Sequence, residues 1–345
     1  NSLHKFSTYF SFQTLLAFLK IPFLSIFRTM NATNIAFLKD SKLVQIFNRF
    51  ATYNGSDPYV APGILNVIAH LEFNKGVYLP KNGMRSIVDF LYQLCLNSGV
   101  LFEINSQVTQ ISIDKKKVKG VYVNEVFYPA DIVVSNIDIY YVYNNLLGSN
   151  HYLPSKFKIS RSSSAIIFYW GMNKVFKKLD LHNIFFAQDY EREFQEIKLG
   201  EIIWHDPTIY INITSKYIPG DAPKDCENWF VMINVSHDTG QSWNSLINDA
   251  KKIIIKKLNR ILDCNIEENI EVENFIGPRE IEKNTGSFNG ALYGTSSNSK
   301  MSAFLRHSNF SSKIKDLYFC GGTVHPGGGI PLALNSAKIV ANEIN

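Results

Sequence analysis

Nothing in this 345-residue chain limits its fold as tightly as the run from Leu317 to Pro331. Leu317-Tyr-Phe-Cys320 is a short apolar stretch suited to a buried strand, and it breaks at Gly321-Gly322. A second cluster, Gly327-Gly328-Gly329, precedes Ile330 and Pro331, so five glycines and two prolines fall within eleven residues. Beyond Pro331, Ala333, Ala337, Val340 and Ile344 recur at helical spacing. Proline suits a first helical turn, where its missing N–H is not needed. The predicted unit is strand, glycine-rich elbow, helix N-terminus.

Two properties follow. Glycines allow a flat or anionic group to approach the backbone closely, and a helix start offers unpaired N–H groups with partial positive charge. The alternative is a tight turn without a ligand. No Gly-Lys-Ser/Thr closes the cluster, so it is not a P-loop, and the Gly-x-Gly-x-x-Gly fingerprint occurs nowhere in the chain.

The remaining pattern is that of an α/β chain with ample core, since 46% of residues are hydrophobic. An excess of 35 basic over 30 acidic residues is too diffuse for nucleic acid and favours anionic membrane surfaces weakly. The 25 Phe and 17 Tyr suit contact with lipid or a long apolar ligand. Residues 1–50 hold many of these aromatics (Phe6, Tyr9, Phe10, Phe12, Phe18). Gln13, Lys20, Pro22 and Arg28 interrupt them, so a spanning helix is not expected; the stretch reads either as an interfacial or tunnel-mouth helical region or as ordinary helical core. Cys95, Cys226, Cys264 and Cys320 are widely spaced and read as buried free thiols in a reducing cytoplasm.

Met84, Ile87, Val88, Leu91, Leu94 and Cys95 predict an amphipathic helix ended at Gly99. Residues 100–136 alternate as strands around a solvated tip at Asp114-Lys-Lys-Lys117. Further strands are predicted at Ala165–Gly171, Thr208–Thr214 and Trp229–Val235, with a helix over Ser242–Leu262. Val272 to Gly294 reads as loops with spaced glycines. His182, His205 and His325 read as packing or hydrogen-bonding histidines, and no hydrolase elbow or metal-ligand spacing is present.

Several of these stretches carry a resemblance. Phe319-Cys-Gly-Gly-Thr-Val-His-Pro-Gly-Gly-Gly-Ile-Pro331 is similar to the C-terminal flavin signature of the carotenoid (phytoene) desaturase family of FAD-dependent amine-oxidase-like flavoproteins. Phe47–Tyr59, Gly76–Pro80 with Gly83-Met84, Ala130–Asn136 and Gly290–Gly294 follow that family's order. His182–Phe186 and Asp206-Pro-Thr208 resemble its bacterial branch, which includes 1-hydroxycarotenoid 3,4-desaturases and phytoene desaturases. The family begins with a Gly-x-Gly-x-x-Gly unit for the ADP half of FAD, so this chain looks like the C-terminal two-thirds of such a protein.

The resemblance implies a Rossmann-like FAD/NAD(P)-binding domain without its first βαβ unit, and an inserted substrate domain of mixed sheet and helices. The implied segments are 1–60 (substrate or membrane contact), 61–136 and 271–345 (FAD domain) and 137–270 (substrate). The implied cofactor residues are Val108, against the adenine, and Gly321, Gly322, Thr323, Pro326, Gly327, Gly328, Gly329, Ile330 and Pro331. The implied activity is desaturation of phytoene or a 1-hydroxycarotenoid, and no catalytic acid–base residue is assigned. No side chain accepts a hydride, so a cofactor must. Partners would be a long apolar polyene, the inner face of the cell membrane, and quinone or oxygen as electron acceptor. A carotene isomerase or saturase, and a lipid-binding escort of the GDP-dissociation-inhibitor type, are the alternatives.

Overall fold

The computed structural model describes residues 25–148, 160–203, 205–298 and 306–345; the aromatic cluster of residues 6–19 lies outside them. Helices α1 (Met30–Phe37), α2 (Ser41–Asn48), α3 (Val67–Lys75) and α4 (Arg85–Asn97) come first. Strands β1 (Val108–Asp114), β2 (Lys117–Val123), β3 (Val126–Pro129) and β4 (Val133–Ser135) follow, then β5 (Ser164–Met172) and β6 (His182–Phe185). Next are α5 (Tyr190–Leu199), β7 (Ile209–Asn212), β8 (Glu227–Val235) and α6 (Trp243–Leu262). The chain closes with β9 (Ile270–Ile276), α7 (Pro278–Thr285), β10 (Leu317–Phe319) and α8 (Ile330–Ile344).

These elements form two compact units, Asn1–Leu71 with Asn105–Ser163 and Ile281–Asn345, and Glu72–Ile104 with Ser164–Glu280. Residues 72–104 belong to the second unit, with the five-stranded sheet.

The second unit is built on an antiparallel sheet in the order β6-β7-β8-β5-β9. Nine consecutive pairs, Ser164↔Val235 to Met172↔Glu227, lock β5 to β8. Alternation sends Ile166, Phe168 and Trp170, with Trp229, Val231 and Ile233, into one core with Trp243, Ile247, Ala250, Ile254 and Leu258 of α6. Side chains of the opposite phase, among them Tyr169 opposite Phe230 and Tyr210 opposite Met232, line the sheet's other face. Residues 272–294 are a correction to the loop reading: β9 and α7 occupy most of them. Alternating charged residues in Ile270-Glu-Val-Glu-Asn-Phe-Ile276 disguise an edge strand whose outer side stays exposed. Helix α4 forms as its periodicity predicts, but none of its residues is buried.

In the first unit, β1-β2-β3 is an antiparallel meander. Its two turns put Lys115-Lys116 and Asn124-Glu125 at positive φ, so the lysine run is indeed a hairpin tip. Parallel strands β4 and β10 pair Leu317↔Val133 through Phe319↔Ser135. They pack with Ile111, Val118, Ile139, Val142 and Ile314. Helices α1 and α2 are tied by a relay of amides: Asn66 donates to Asn34, Asn34 to Asn48, and Asn48 to Asn31. All four cysteines are free thiols, half-buried rather than fully buried.

Candidate functional site

The strand, elbow and helix form where the sequence places them. Leu317 and Phe319 are buried, the chain turns at Gly321 (φ 104°), and α8 begins at Ile330 with Pro331 in its first turn. A polar clamp fixes the elbow. The buried Asn309 side-chain amide donates to the carbonyls of Phe319 (3.2 Å) and His325 (2.8 Å) and to Ser336 Oγ (2.9 Å). Ser336 Oγ in turn accepts from the Gly321 N–H. One asparagine thus joins strand, elbow and helix. Asn309 and Ser336 had no signal in the sequence, being polar residues outside any recognised motif.

The glycines divide into two kinds. A Cβ on Gly328 would sit 2.7 Å from the Tyr293 ring, and one on Gly327 3.1 Å from Arg306 Nε. At Gly322 it would meet Gly328 Cα at 3.3 Å, and at Gly321 the Asn136 carbonyl at 3.2 Å. These four let the elbow pack on its own protein. Gly329 differs: nothing lies within 4 Å of its absent Cβ. Beyond it, Ile330 is 52% and Leu334 56% exposed. The Ile330 and Leu332 N–H groups have no intrahelical acceptor, and Pro331 has no N–H. An open glycine, two free N–H groups and an apolar rim fit the electron-rich edge of a flat heterocycle.

Of the other expected residues, Thr323 accepts from the Ile139 N–H (3.2 Å) and packs under Gly294. Pro326 follows a cis peptide bond from the buried His325. Val108 opens β1, half-buried and paired with Val123.

Around the elbow lies a charged interior that sequence reasoning missed. Arg306 is 2% exposed and donates to the carbonyls of Tyr293 (3.2 Å), Gly322 (3.1 Å) and Thr295 (3.0 Å). Burial, with a lesser push from Arg161, brings its pKa down to about 10, so it remains charged at neutral pH. Arg161 is neutralised by Asp138, which it meets in a short ion pair, and lies over the Tyr140 ring. Arg49, 5% exposed, starts a 3-10 turn (Arg49–Asn54) that leads into Gly55. A Cβ on Gly55 would meet the Tyr293 ring at 2.8 Å, so Tyr293 is held between Gly55 and Gly328. Burial raises the Tyr293 phenol above its ordinary pKa, and the nearby Arg49 charge partly offsets the rise.

Other motifs turn out to be structural ties within the second unit. Asp206 pairs with the buried Lys257 at 2.7 Å, and Thr208 binds both oxygens of Glu193. His182 Nδ1 is 2.8 Å from the Tyr210 hydroxyl.

An elbow of this form, open at its helix start, belongs to a flavin-dependent oxidoreductase. The family model for flavin containing amine oxidoreductases matches residues 23–345, and the chain belongs to that family, with FAD as its cofactor. Among its relatives, the 1-hydroxycarotenoid 3,4-desaturase of Flavobacterium sp. (strain P99-3) is 51% identical over 99% of this chain and 70% of that protein. The phytoene desaturase of Fusarium fujikuroi is 30% identical over 88% of this chain and 57% of that protein. In fold, an oxidoreductase from Methanosarcina mazei superposes with a TM-score of 0.60 at 12% identity, covering 100% of this chain and 75% of that one. A putrescine oxidase variant gives 0.55 at 12% identity, covering 94% and 69%.

Proposed function

We propose that this chain serves the FAD-dependent desaturation of a carotenoid, a 1-hydroxycarotenoid or phytoene. The observation that carries the reading is the second face of the five-stranded sheet. Tyr210 on β7, Phe230 and Met232 on β8, and Ile167 and Tyr169 on β5 share it by register. Tyr169 and Phe230 meet edge to face, as do Tyr210 and Phe230, and Tyr169 is 40% exposed. No charged side chain falls on this phase of the three central strands. Such a face, aromatic and aliphatic at its centre with the Tyr169 and Tyr210 hydroxyls, Asn212 and Asn228 as its polar groups, suits a long and largely apolar ligand. The 51% identity to a protein with that activity agrees with it.

In this reading β1–β3 and the elbow serve the cofactor, with Val108 and Gly321–Pro331 its contacts, and the sheet serves the substrate. FAD would supply the hydride acceptor. The chain's own residues would orient the polyene, exclude water, and meet negative charge with the Ile330 and Leu332 N–H groups. Among the described residues no helix is long and apolar enough to cross a membrane. Exposed apolar residues of α4, Phe90 at 67% and Val88 at 57%, support contact with the inner membrane face, and quinone or oxygen would take the electrons.

The test is to incubate the chain with FAD and vesicles carrying phytoene or a 1-hydroxycarotenoid. The expected product has lost two hydrogens and absorbs further to the red. A product of unchanged mass would mark an isomerase instead, and an unchanged polyene would end the desaturase reading.

A further inference from the structure

The first unit holds three buried guanidiniums, Arg49, Arg161 and Arg306, against one buried carboxylate, Asp138. Asp138 is fully used: it pairs with Arg161 and accepts from the N–H groups of Tyr140 and Phe288. Arg306 has only carbonyl oxygens as partners, and Nε and Nη1 of Arg49 are buried without a hydrogen-bond partner among the described residues. None of the residues outside the described ranges is an aspartate or glutamate. Two positive charges are therefore left uncompensated. Burying an unpaired charge is strongly unfavourable, and such groups persist where a partner of opposite charge arrives.

Their position names the partner. Arg306 grips the elbow directly through the Gly322 carbonyl and is passed closely by Gly327. The turn that Arg49 begins is docked onto the same strip: Asn54 donates to Ser297, Ser56 Oγ accepts from the Ser297 N–H, and Gly55 abuts Tyr293. Both cations thus flank the strip Tyr293–Ser297 behind the flavin elbow.

We propose that Arg49, supported by Arg306, is a cofactor-binding residue that supplies the fixed countercharge for an anionic part of the flavin nucleotide. That part is either the diphosphate or the pyrimidine edge of the reduced ring. The inference rests on the flavin reading and adds to it a residue outside the glycine signature. Among the described residues no protein group pairs with Arg49 Nε and Nη1, and the cofactor's anion would complete the pair.

The experiment compares wild-type chain with Arg49→Met, which keeps the aliphatic stem and removes the charge, and Arg49→Lys, which keeps the charge. Each is titrated with FAD and with ADP, melted without cofactor, and measured for the midpoint potential of bound FAD. Arg49→Met should bind FAD at least about tenfold more weakly while melting no lower than wild type, because an unpaired buried charge has gone. Arg49→Lys should stay within about threefold of wild type. An equal loss for ADP assigns the diphosphate. Unchanged ADP binding with a lowered potential, about 30 mV for each tenfold loss in holding the reduced form, assigns the ring edge. Equal FAD binding and potential in wild type and Arg49→Met overturns the proposal, as does an equal loss in the methionine and lysine variants. A wild-type chain that takes up neither FAD nor ADP overturns the flavin reading of this chain as well.

Discussion

The two units solve the problem of buried charge in opposite ways. In the sheet unit three buried charges have an ionic complement: Glu227 with Lys216 at 2.6 Å, Lys257 with Asp206 at 2.7 Å, Glu196 with Arg192 at 2.5 Å. Glu193 is spent on Thr208. The rest of that interior is Trp, Phe, Ile and Val in one continuous cluster. In the elbow unit the interior is stitched by amides, hydroxyls and carbonyls, and positive charge is left over. A region that needs only to stand up can close its account of charges internally. In the reading proposed above, the leftover positive charge of the elbow unit is there to meet an anion, at some cost in intrinsic stability.

The largest effect expected from breaking this contrast is in the sheet core. Trp229→Ala removes a side chain 1% exposed and takes one of its donors from the buried Glu227 carboxylate, which keeps Lys216 and the Phe176 N–H. It should cost about 3–5 kcal/mol, read from urea unfolding. A cost under about 1 kcal/mol would mean the sheet is not held by apolar packing. Asn309→Ala tests the elbow by the polar route. It leaves the His325 and Phe319 carbonyls and Ser336 Oγ short of a donor, for about 1–3 kcal/mol, and it should loosen FAD more than it lowers stability. Retention of FAD at wild-type affinity would show that the clamp does not shape the site.

The smallest effect is one of pH. Tyr293 has its phenol pKa raised in the folded state, so the folded chain holds that proton after the unfolded chain has released it. Its contribution is intact below about pH 10, the ordinary phenol value, and is lost as pH rises through the folded pKa. Tyr293→Phe should therefore flatten the alkaline decline of the melting temperature, and an identical decline in both proteins would refute the assignment. Trp170 and Trp229, at the heart of the sheet, carry nothing that titrates there.

Periodicity made the sheet unit legible. β5, β7, β8 and α6 fall within a residue or two of the stretches predicted from apolar alternation, because there a single pattern fixes both element and burial. It failed at β9, an edge strand whose apolar alternation is broken by Glu271 and Glu273, the latter accepting from the buried Trp170 indole, and at α7, an eight-residue helix with little apolar content. The elbow was legible as a shape, since glycine and proline act on the backbone locally. Its support was not. Arg49 and Arg306 are far apart in the chain, and Asn309 reaches Ser336 only after folding. Nor does an arginine reveal from its neighbours whether its partner is an aspartate, a carbonyl or a molecule yet to bind.

The amide relay Asn66–Asn34–Asn48–Asn31 has a consequence for how the protein ages. Every link is a nitrogen giving to an oxygen in one direction, so hydrolysis of the Asn34 or Asn48 amide to an acid would set two oxygens face to face and part the two helices. Native packing should shield these sites. Mass spectrometry of protein stored at mildly alkaline pH should find the damage first at exposed asparagines, and at these two only in molecules whose amino-terminal helices have already come apart.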